Sequence, residues 1–241
     1  MQFLIIHSVS SLNLTNEYLS HICLINQGKY NSGSEYEYNL NYLIDDIRTS
    51  HHEVGFTKVS FGNTTANFAQ VIVQCRGDSY GSKCNTCFDT AISGFQKRCP
   101  NNKGGRIWYD QCFIYVSTVD VELPGKTKYE NIFSMHNPQK VRGDAKLFAK
   151  KAIDFLSELT LKVQKPNNIL HLPVFYAAGE KKVGKNTLYA MVQCLELTVD
   201  CTSCLTWSIT KNFKKNDIKQ GARVLGSNCD VRYELYPFLK S

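Results

Sequence analysis

Apolar residues recur three, four and seven positions apart in residues 34–50 and again in residues 144–159, which predicts one amphipathic helix in each segment. Ser34 and Glu37 form a capping box ahead of the first helix. The residues that we place on the two apolar faces are Leu40, Leu43, Ile44, Ile47, Leu147, Phe148, Phe155, Leu156 and Leu159.

Shorter apolar runs follow a strand pattern instead. VIVQC at 71–75 and AMVQC at 190–194 indicate buried strand ends, and further strands are predicted in RIWYDQCFIYVS from 106 and in RVLGSNCDVRYELYPF from 223. A second helix is expected at each closely spaced cysteine pair, in CNTCFDTAISGFQKRC and in CTSCLTWSITKNFKK. Cysteines three apart on a helix share a face, so each can reach a different neighbour.

The pattern occurs twice. Three cysteines and an arginine recur at a constant offset of 117 residues, which indicates an internal duplication into halves of about 100 residues. The corresponding pairs are Cys84 with Cys201, Cys87 with Cys204, Cys112 with Cys229, and Arg106 with Arg223. A Pro/Gly/charged stretch, VELPGKTKYEN, separates the halves.

These elements predict an α+β protein of two tandem repeats, each an antiparallel sheet of about five strands with two helices on one face. We assign residues 16–120 to the first cysteine-rich repeat, 121–131 to a linker and 132–241 to the second cysteine-rich repeat. Residues 1–15 have the character of a short secretory signal or its remnant, although the apolar core is brief and no Lys or Arg precedes it.

Cysteine content indicates the compartment. Ten cysteines, an even number, fit five disulfides and therefore an oxidising environment outside the cell. A four-thiolate zinc site is the competing interpretation of the C-x2-C pairs, but a single site cannot absorb six cysteines in the first half, so we expect no metal. Sequons at Asn13 and Asn63 are compatible with glycosylation during secretion.

Composition narrows the function further. No apolar run approaches the length of a membrane span, and a net charge of +7 without interleaved aromatic and basic residues is weak support for nucleic-acid binding. The six histidines are scattered, and the chain has no H-E-x-x-H, G-x-S-x-G or Gly-rich phosphate loop. We therefore expect no enzyme activity and no cofactor.

The cysteine spacing carries a family resemblance. The C-x8-C-x2-C motif from Cys75 to Cys87, with Cys23 before it and Cys99 and Cys112 after it, resembles the plant cysteine-rich repeat family that includes the ginkbilobin-type antifungal lectins. Two such repeats resemble the cysteine-rich repeat secretory proteins over about residues 12–238, and the second motif is the shorter C-x6-C-x2-C.

The resemblance implies a disulfide pairing, which the repeat extends to the second half. The second half lacks both partners of the first bridge, and His136 and Asn216 stand where those cysteines would fall. The implied pairs are Cys23 with Cys99, Cys75 with Cys84, Cys87 with Cys112, Cys194 with Cys201, and Cys204 with Cys229.

The resemblance also implies a sugar site. Ginkbilobin-type lectins hydrogen-bond mannose through an Asn, an Arg and a Glu, and the second half aligns Asn137, Arg223 and Glu234 with these positions. The first half keeps the arginine as Arg106 but has Leu24 and Ser117 at the other two, so it should not bind mannose in this way. The alternative for the second half is structural: a surface salt bridge of Arg223 with Glu234, and a turn at Asn137 before Pro138.

The expected protein is therefore a secreted, non-enzymatic binding protein of the plant apoplast with no cofactor. Its partner would be mannose or mannan, in an antifungal or stress-defence role carried by the second repeat. The alternative is a signalling scaffold that binds another extracellular protein through its sheet faces or the interface between the repeats.

Overall fold

The computed structural model describes residues 16–49, 55–64, 66–79, 81–121, 131–163, 175–198, 200–213 and 218–239. The predicted signal at 1–15 with its sequon at Asn13, the linker from 122 to 130, and Asn216 lie outside the described residues. None of the helices in the described part of the chain is both long and apolar enough to cross a membrane.

The first repeat is a five-stranded antiparallel sheet that carries two helices. Its elements in chain order are β1 (Tyr18–Cys23), a short 3-10 helix (Ile25–Gln27), α1 (Glu35–Thr49), β2 (Phe56–Phe61), β3 (Ala69–Cys75), α2 (Ser82–Arg98), β4 (Gly105–Tyr109) and β5 (Cys112–Ser117). The strand order in the sheet is β1-β4-β5-β3-β2.

The elements of the second repeat are β6 (Asn131–His136), α3 (Ala145–Thr160), β7 (Tyr176–Val183), β8 (Asn186–Cys194), α4 (Cys201–Asn212), β9 (Gly221–Gly226) and β10 (Cys229–Glu234). The strand order β6-β9-β10-β8-β7 gives this repeat the same topology as the first. The prediction of an α+β fold with two tandem five-stranded sheets is therefore confirmed.

The helical faces agree with the sequence pattern except at one residue. In α1 the four predicted core residues are buried, and Asp144 caps α3 by accepting a hydrogen bond from the Leu147 backbone. Leu147 itself was wrongly placed in the core, because its side chain is 52% exposed. The buried face of α3 is centred on Ala149 and Ala152, two small residues that let the helix pack closely on the sheet, and this turns Leu147 outward.

All ten cysteines are paired, as Cys23–Cys99, Cys75–Cys84, Cys87–Cys112, Cys194–Cys201 and Cys204–Cys229. The register explains the spacing of the closely placed pairs. Cys75 and Cys112 lie directly opposite each other on β3 and β5, so two cysteines one helical turn apart in α2 reach two adjacent strands. Cys194 and Cys229 are opposite each other in the second sheet in the same way. The motif thus anchors the second helix of each repeat to the centre of its sheet.

The two repeats pack against each other through the sheet faces that carry no helices. Trp108 and Tyr115 of the first sheet are buried in one cluster with Leu195 and Leu225 of the second repeat. Two matching glutamines cross this interface: Gln74 Nε2 donates to Cys194 O at 2.8 Å, and Gln193 Nε2 donates to Cys75 O at 2.9 Å. The pseudo-symmetric pair of hydrogen bonds fixes the two sheets relative to each other.

Candidate functional site

The predicted arginine and glutamate lie on the helix-free face of the second sheet. Side chains alternate along β10, so Val231 and Tyr233 pack toward the helices while Arg232 and Glu234 point to the other side. Arg223 of β9 lies directly opposite Arg232, and Gly221 lies opposite Glu234. A Cβ at position 221 would overlap the Glu234 carboxylate, so Gly221 provides the space in which this carboxylate sits.

Asn137 takes the position that the alignment gave it. Its backbone N–H donates to Gly221 O at 2.8 Å, as the Leu24 N–H of the first repeat donates to Gly104 O at 2.9 Å. The strand register agrees, because His136 pairs with Ala222 as Cys23 pairs with Gly105. His136 therefore occupies the place of the missing cysteine, and Asn137 follows it where Leu24 follows Cys23.

The three predicted residues line one open pocket of about 190 Å³. They reach it from three separate places in the chain, after β6, in β9 and at the end of β10. The first repeat contributes to the same pocket through residues at the start of β1. The other lining residues are Glu17, Leu19, Met135, His136, Pro138, Ala222, Arg232 and Tyr236.

Glu234 is a buried hydrogen-bond acceptor in the pocket wall. Its Oε1 accepts from Arg232 Nε at 3.4 Å, and its buried Oε2 meets no donor in hydrogen-bond geometry among the described residues. Burial raises the pKa of Glu234, and the nearby Arg232, Arg223 and Tyr236 offset this only in part. A buried carboxylate oxygen without a donor costs free energy, so Glu234 occupies this position at a cost to the stability of the fold.

Asn137 both stabilises a turn and lines the pocket. Its Oδ1 accepts from the Gln139 backbone N–H at 2.9 Å, which is the Asx turn that an Asn before Pro138 favours. The structural alternative is thus correct for this side-chain oxygen, while the residue still lines the pocket.

Arg223 is held by the first repeat, not by Glu234. Its Nη2 donates to Asp110 Oδ1, and Arg232 Nη1 donates to the same oxygen at 3.0 Å. Asp110 Oδ2 accepts from Arg76 Nη1 at 2.9 Å. Burial alone would raise the pKa of Asp110, but the guanidiniums of Arg223, Arg76 and Arg232 outweigh it and lower the pKa to about 2. The alternative of a surface salt bridge between Arg223 and Glu234 is therefore wrong: Arg223 is ion-paired with Asp110, and this buried pair joins the two repeats.

The matching face of the first repeat is built differently. Arg106, the equivalent of Arg223, lies with its guanidinium carbon 4.4 Å from the centre of the Tyr115 ring. Ser117, the equivalent of Glu234, accepts from Gln27 Nε2 at 3.3 Å, and Leu24 packs against the cluster between the repeats. This face carries no carboxylate or amide at the two positions that resemble the lectin site.

Sequence reasoning did not find Asp110, Arg232 or Tyr236. Arg232 could have been found from strand alternation, because it lies two residues before Glu234 on the same face. Asp110 gives no such signal, since it lies in the turn between β4 and β5 and acts on a different repeat.

Comparison with known proteins shows to which family the chain belongs. The model of the family described as salt stress response/antifungal matches the chain twice, at residues 22–119 and 135–236. The chain belongs to this stress-antifungal family. The two matched segments contain the two disulfide-linked sheets, apart from the outer strand residues that precede each segment.

Relatives of this stress-antifungal protein resemble it along nearly the whole chain. It is 52% identical over 241 residues to putative cysteine-rich repeat secretory protein 37 of Arabidopsis thaliana, covering 100% of this chain and 93% of that protein. It is 54% identical over 237 residues to number 32 of the same series, covering 98% and 92%. The chain is accordingly a secreted cysteine-rich repeat protein.

Solved structures share the fold. The tandem DUF26 ectodomain of the Arabidopsis thaliana cysteine-rich receptor-like protein PDLP8 superposes with a TM-score of 0.74 at 23% identity, covering 91% of this chain and 98% of that one. The corresponding ectodomain of PDLP5 gives 0.72 at 22% identity, covering 92% and 100%. At this level of identity the likeness concerns the tandem fold alone.

Proposed function

We propose that this secreted protein acts by binding and not by catalysis, and that the pocket of its second repeat holds a mannose unit of cell-wall or fungal mannan in a defence role. One observation carries the proposal: Asn137, Arg223 and Glu234, predicted from three distant points of the chain, line a single open pocket. The backbone hydrogen bond of Asn137 to Gly221 supports the alignment on which this trio rests.

The chemistry of the pocket suits a hydroxyl-rich ligand. A sugar hydroxyl both donates and accepts, so it needs an acceptor such as the Glu234 carboxylate beside donors such as the Arg232 guanidinium. Tyr236 lines the same pocket and exposes 42% of its surface, which offers an aromatic face to the apolar side of a sugar ring.

The site predicts weak binding of one sugar. The pocket is open to solvent, and the Arg223 guanidinium already donates to Asp110. Few of its polar groups are therefore available for a single monosaccharide. Useful affinity would come from several mannose units of one polymer that engage several protein molecules.

Glu234→Gln is the decisive variant, because it keeps the shape of the side chain and removes the charged acceptor. Arg223→Ala is less informative, since it would also leave Asp110 with one partner fewer between the repeats. We expect Glu234→Gln to weaken binding of mannose and mannan roughly 10- to 100-fold in calorimetry, as a hydrogen bond to a charged group contributes about 1.5–3 kcal/mol.

Ser117→Ala is the matched control, because Ser117 holds the same position in the first repeat. It should leave mannan binding unchanged. If the Glu234→Gln variant bound mannan as tightly as the unmodified protein, the assignment of the sugar to this pocket would be wrong. No binding of mannose or mannan by the unmodified protein would reject the proposal and leave the protein-binding scaffold as the function.

A further inference from the structure

Two aromatic side chains of the first repeat form an exposed pair. Tyr42 of α1 and Phe61 at the end of β2 have ring centroids 5.0 Å apart. They expose 50% and 46% of their surfaces. Neither residue belongs to the core of the repeat, so core packing does not account for the contact. The exposed rings offer an apolar contact surface to a neighbouring group.

The sequon at Asn63 lies two residues after Phe61. Asn63 and Thr64 are exposed, in the turn that leads from β2 to β3. The buried Asn67 holds this turn, because its Oδ1 accepts from the N–H groups of Asn63 and Thr64 at 3.2 and 3.0 Å. Gly62 precedes Asn63 with φ of +107°, a conformation that favours glycine.

Helix α1 fixes the same turn from the other side. Asn39 Nδ2 donates to Asn67 O at 2.8 Å, and Asn67 Nδ2 donates to Glu35 Oε1 at 2.8 Å. Tyr42 stands on this helix, one turn after Asn39. The position of Asn63 is therefore set relative to both rings of the aromatic pair.

The second repeat shows that the fold does not require this turn. Its equivalent strands, β7 and β8, are joined by Gly184 and Lys185 alone, whereas residues 62–68 join β2 and β3. The sequon thus lies in a longer connection that only the first repeat has, directly after the strand that ends with Phe61.

We propose that Asn63 carries an N-linked glycan whose first N-acetylglucosamine packs on the exposed rings of Phe61 and Tyr42. A pyranose ring presents a face of C–H groups, and burial of this face against aromatic surface removes apolar area of both from water. A secreted chain passes through the compartment in which N-x-S/T sequons receive glycans, and Asn63-Thr64-Thr65 fits that rule. This inference is independent of the sugar pocket on the second repeat.

The attachment is a group transfer that the host transferase catalyses. The amide Nδ2 of Asn63 forms a bond to C1 of the reducing-end sugar of a lipid pyrophosphate-linked oligosaccharide. The C1–O bond to the pyrophosphate breaks, the lipid pyrophosphate leaves with the electron pair, and the amide nitrogen loses one proton. No group is oxidised or reduced.

Three glycan states of one protein test the proposal. The full chain is secreted from a eukaryotic host that makes high-mannose glycans, and glycopeptide mass spectrometry locates the sugar. Endoglycosidase H leaves a single N-acetylglucosamine on Asn63 in one sample, and peptide N-glycosidase F, applied to a second sample with the intact glycan, removes the whole glycan. We expect Asn63 to be occupied, and the thermal midpoint to be about 2–4 °C higher with one sugar than with none. Peptide N-glycosidase F converts the glycosylated Asn63 to Asp, so the Asn63→Asp variant should have the same thermal midpoint as the sugar-free protein.

Three variants distinguish attachment of the glycan from its packing on the aromatic pair. Thr65→Ala should abolish the glycan and lower the midpoint to that of the sugar-free protein. Phe61→Ser and Tyr42→Ser keep the sequon and should stay glycosylated. In both variants, however, the thermal midpoint should be the same with one sugar as with none. An unmodified Asn63 in the secreted protein would overturn the proposed site. A difference that persists in both serine variants would overturn the packing of the sugar on the aromatic pair.

Discussion

Asp110 of the first repeat is ion-paired with Arg223 of the second. The same carboxylate oxygen accepts from Arg232, which lies opposite Arg223 in the β9–β10 ladder. Like charges directly opposite each other destabilise a sheet, so the second sheet depends on a carboxylate from its neighbour at this point. Because both arginines also line the pocket, the candidate site of the second repeat is shaped by the first.

Asp110→Asn should destabilise the protein by about 2–5 kcal/mol, because it leaves buried guanidiniums without their shared counter-charge. Arg76 and Arg223 are almost entirely buried at this junction, and Asp110 itself is only slightly exposed. Urea denaturation measures the loss as a lower midpoint.

Asp89→Asn is the control for this prediction. Asp89 accepts from Arg48 Nε at 2.9 Å, but both side chains are exposed, and such pairs contribute about 0–1 kcal/mol. Equal effects of the two substitutions would contradict a special role for the buried pair.

Acid should remove the contribution of the Asp110 carboxylate to the free energy of unfolding. Its folded-state pKa of about 2 is below the ordinary value of 3.8, so the stabilisation is fully present above about pH 5 and is lost as the pH falls toward 2. Each unit of pKa difference corresponds to about 1.4 kcal/mol. The gap in unfolding free energy between the natural protein and Asp110→Asn should therefore narrow by roughly 2 kcal/mol between pH 5 and pH 2. A gap that stays constant over this range would show that Asp110 acts without its charge.

The core of each repeat was predictable because it depends on local periodicity and on cysteines at fixed offsets. Arg223 and Glu234 could be placed because the cysteines align the second half with the ginkbilobin-type sugar site. Asp110 could not, because its partners depend on how two sheets pack, and nothing in a short turn encodes that. The edge strands were missed where they carry charge, as in β7 with Glu180, Lys181 and Lys182, since edge strands keep exposed polar residues.

Gly221→Ala should impair ligand binding more than stability. A methyl group at this position would overlap the Glu234 carboxylate, which is the movable end of a flexible side chain, so the carboxylate shifts while the strand remains. We expect a midpoint close to that of the natural protein in thermal denaturation, together with loss of mannan binding in calorimetry.

Gly104→Ala provides the comparison in the first repeat. Gly104 is the equivalent residue, and a methyl group there would overlap the flexible amide of Gln27. It should leave mannan binding intact. Equal loss of binding in both variants would indicate a general disturbance of the fold rather than displacement of Glu234.

The second repeat should open before the first. The Cys23–Cys99 disulfide spans 76 residues, and in the chain-entropy model a loop of this length contributes about 4 kcal/mol. The second repeat has His136 at the position of Cys23, and its described disulfides close only short loops, with separations of 7 and 25 residues. Native-state hydrogen exchange should therefore show earlier loss of protection in β8–β10 than in β3–β5. Joint replacement of Cys23 and Cys99 by Ala should lower the hydrogen-exchange protection of β3–β5 to that of β8–β10. Simultaneous exchange of both repeats in the natural protein would contradict the prediction, because the interface would then join them into one cooperative unit.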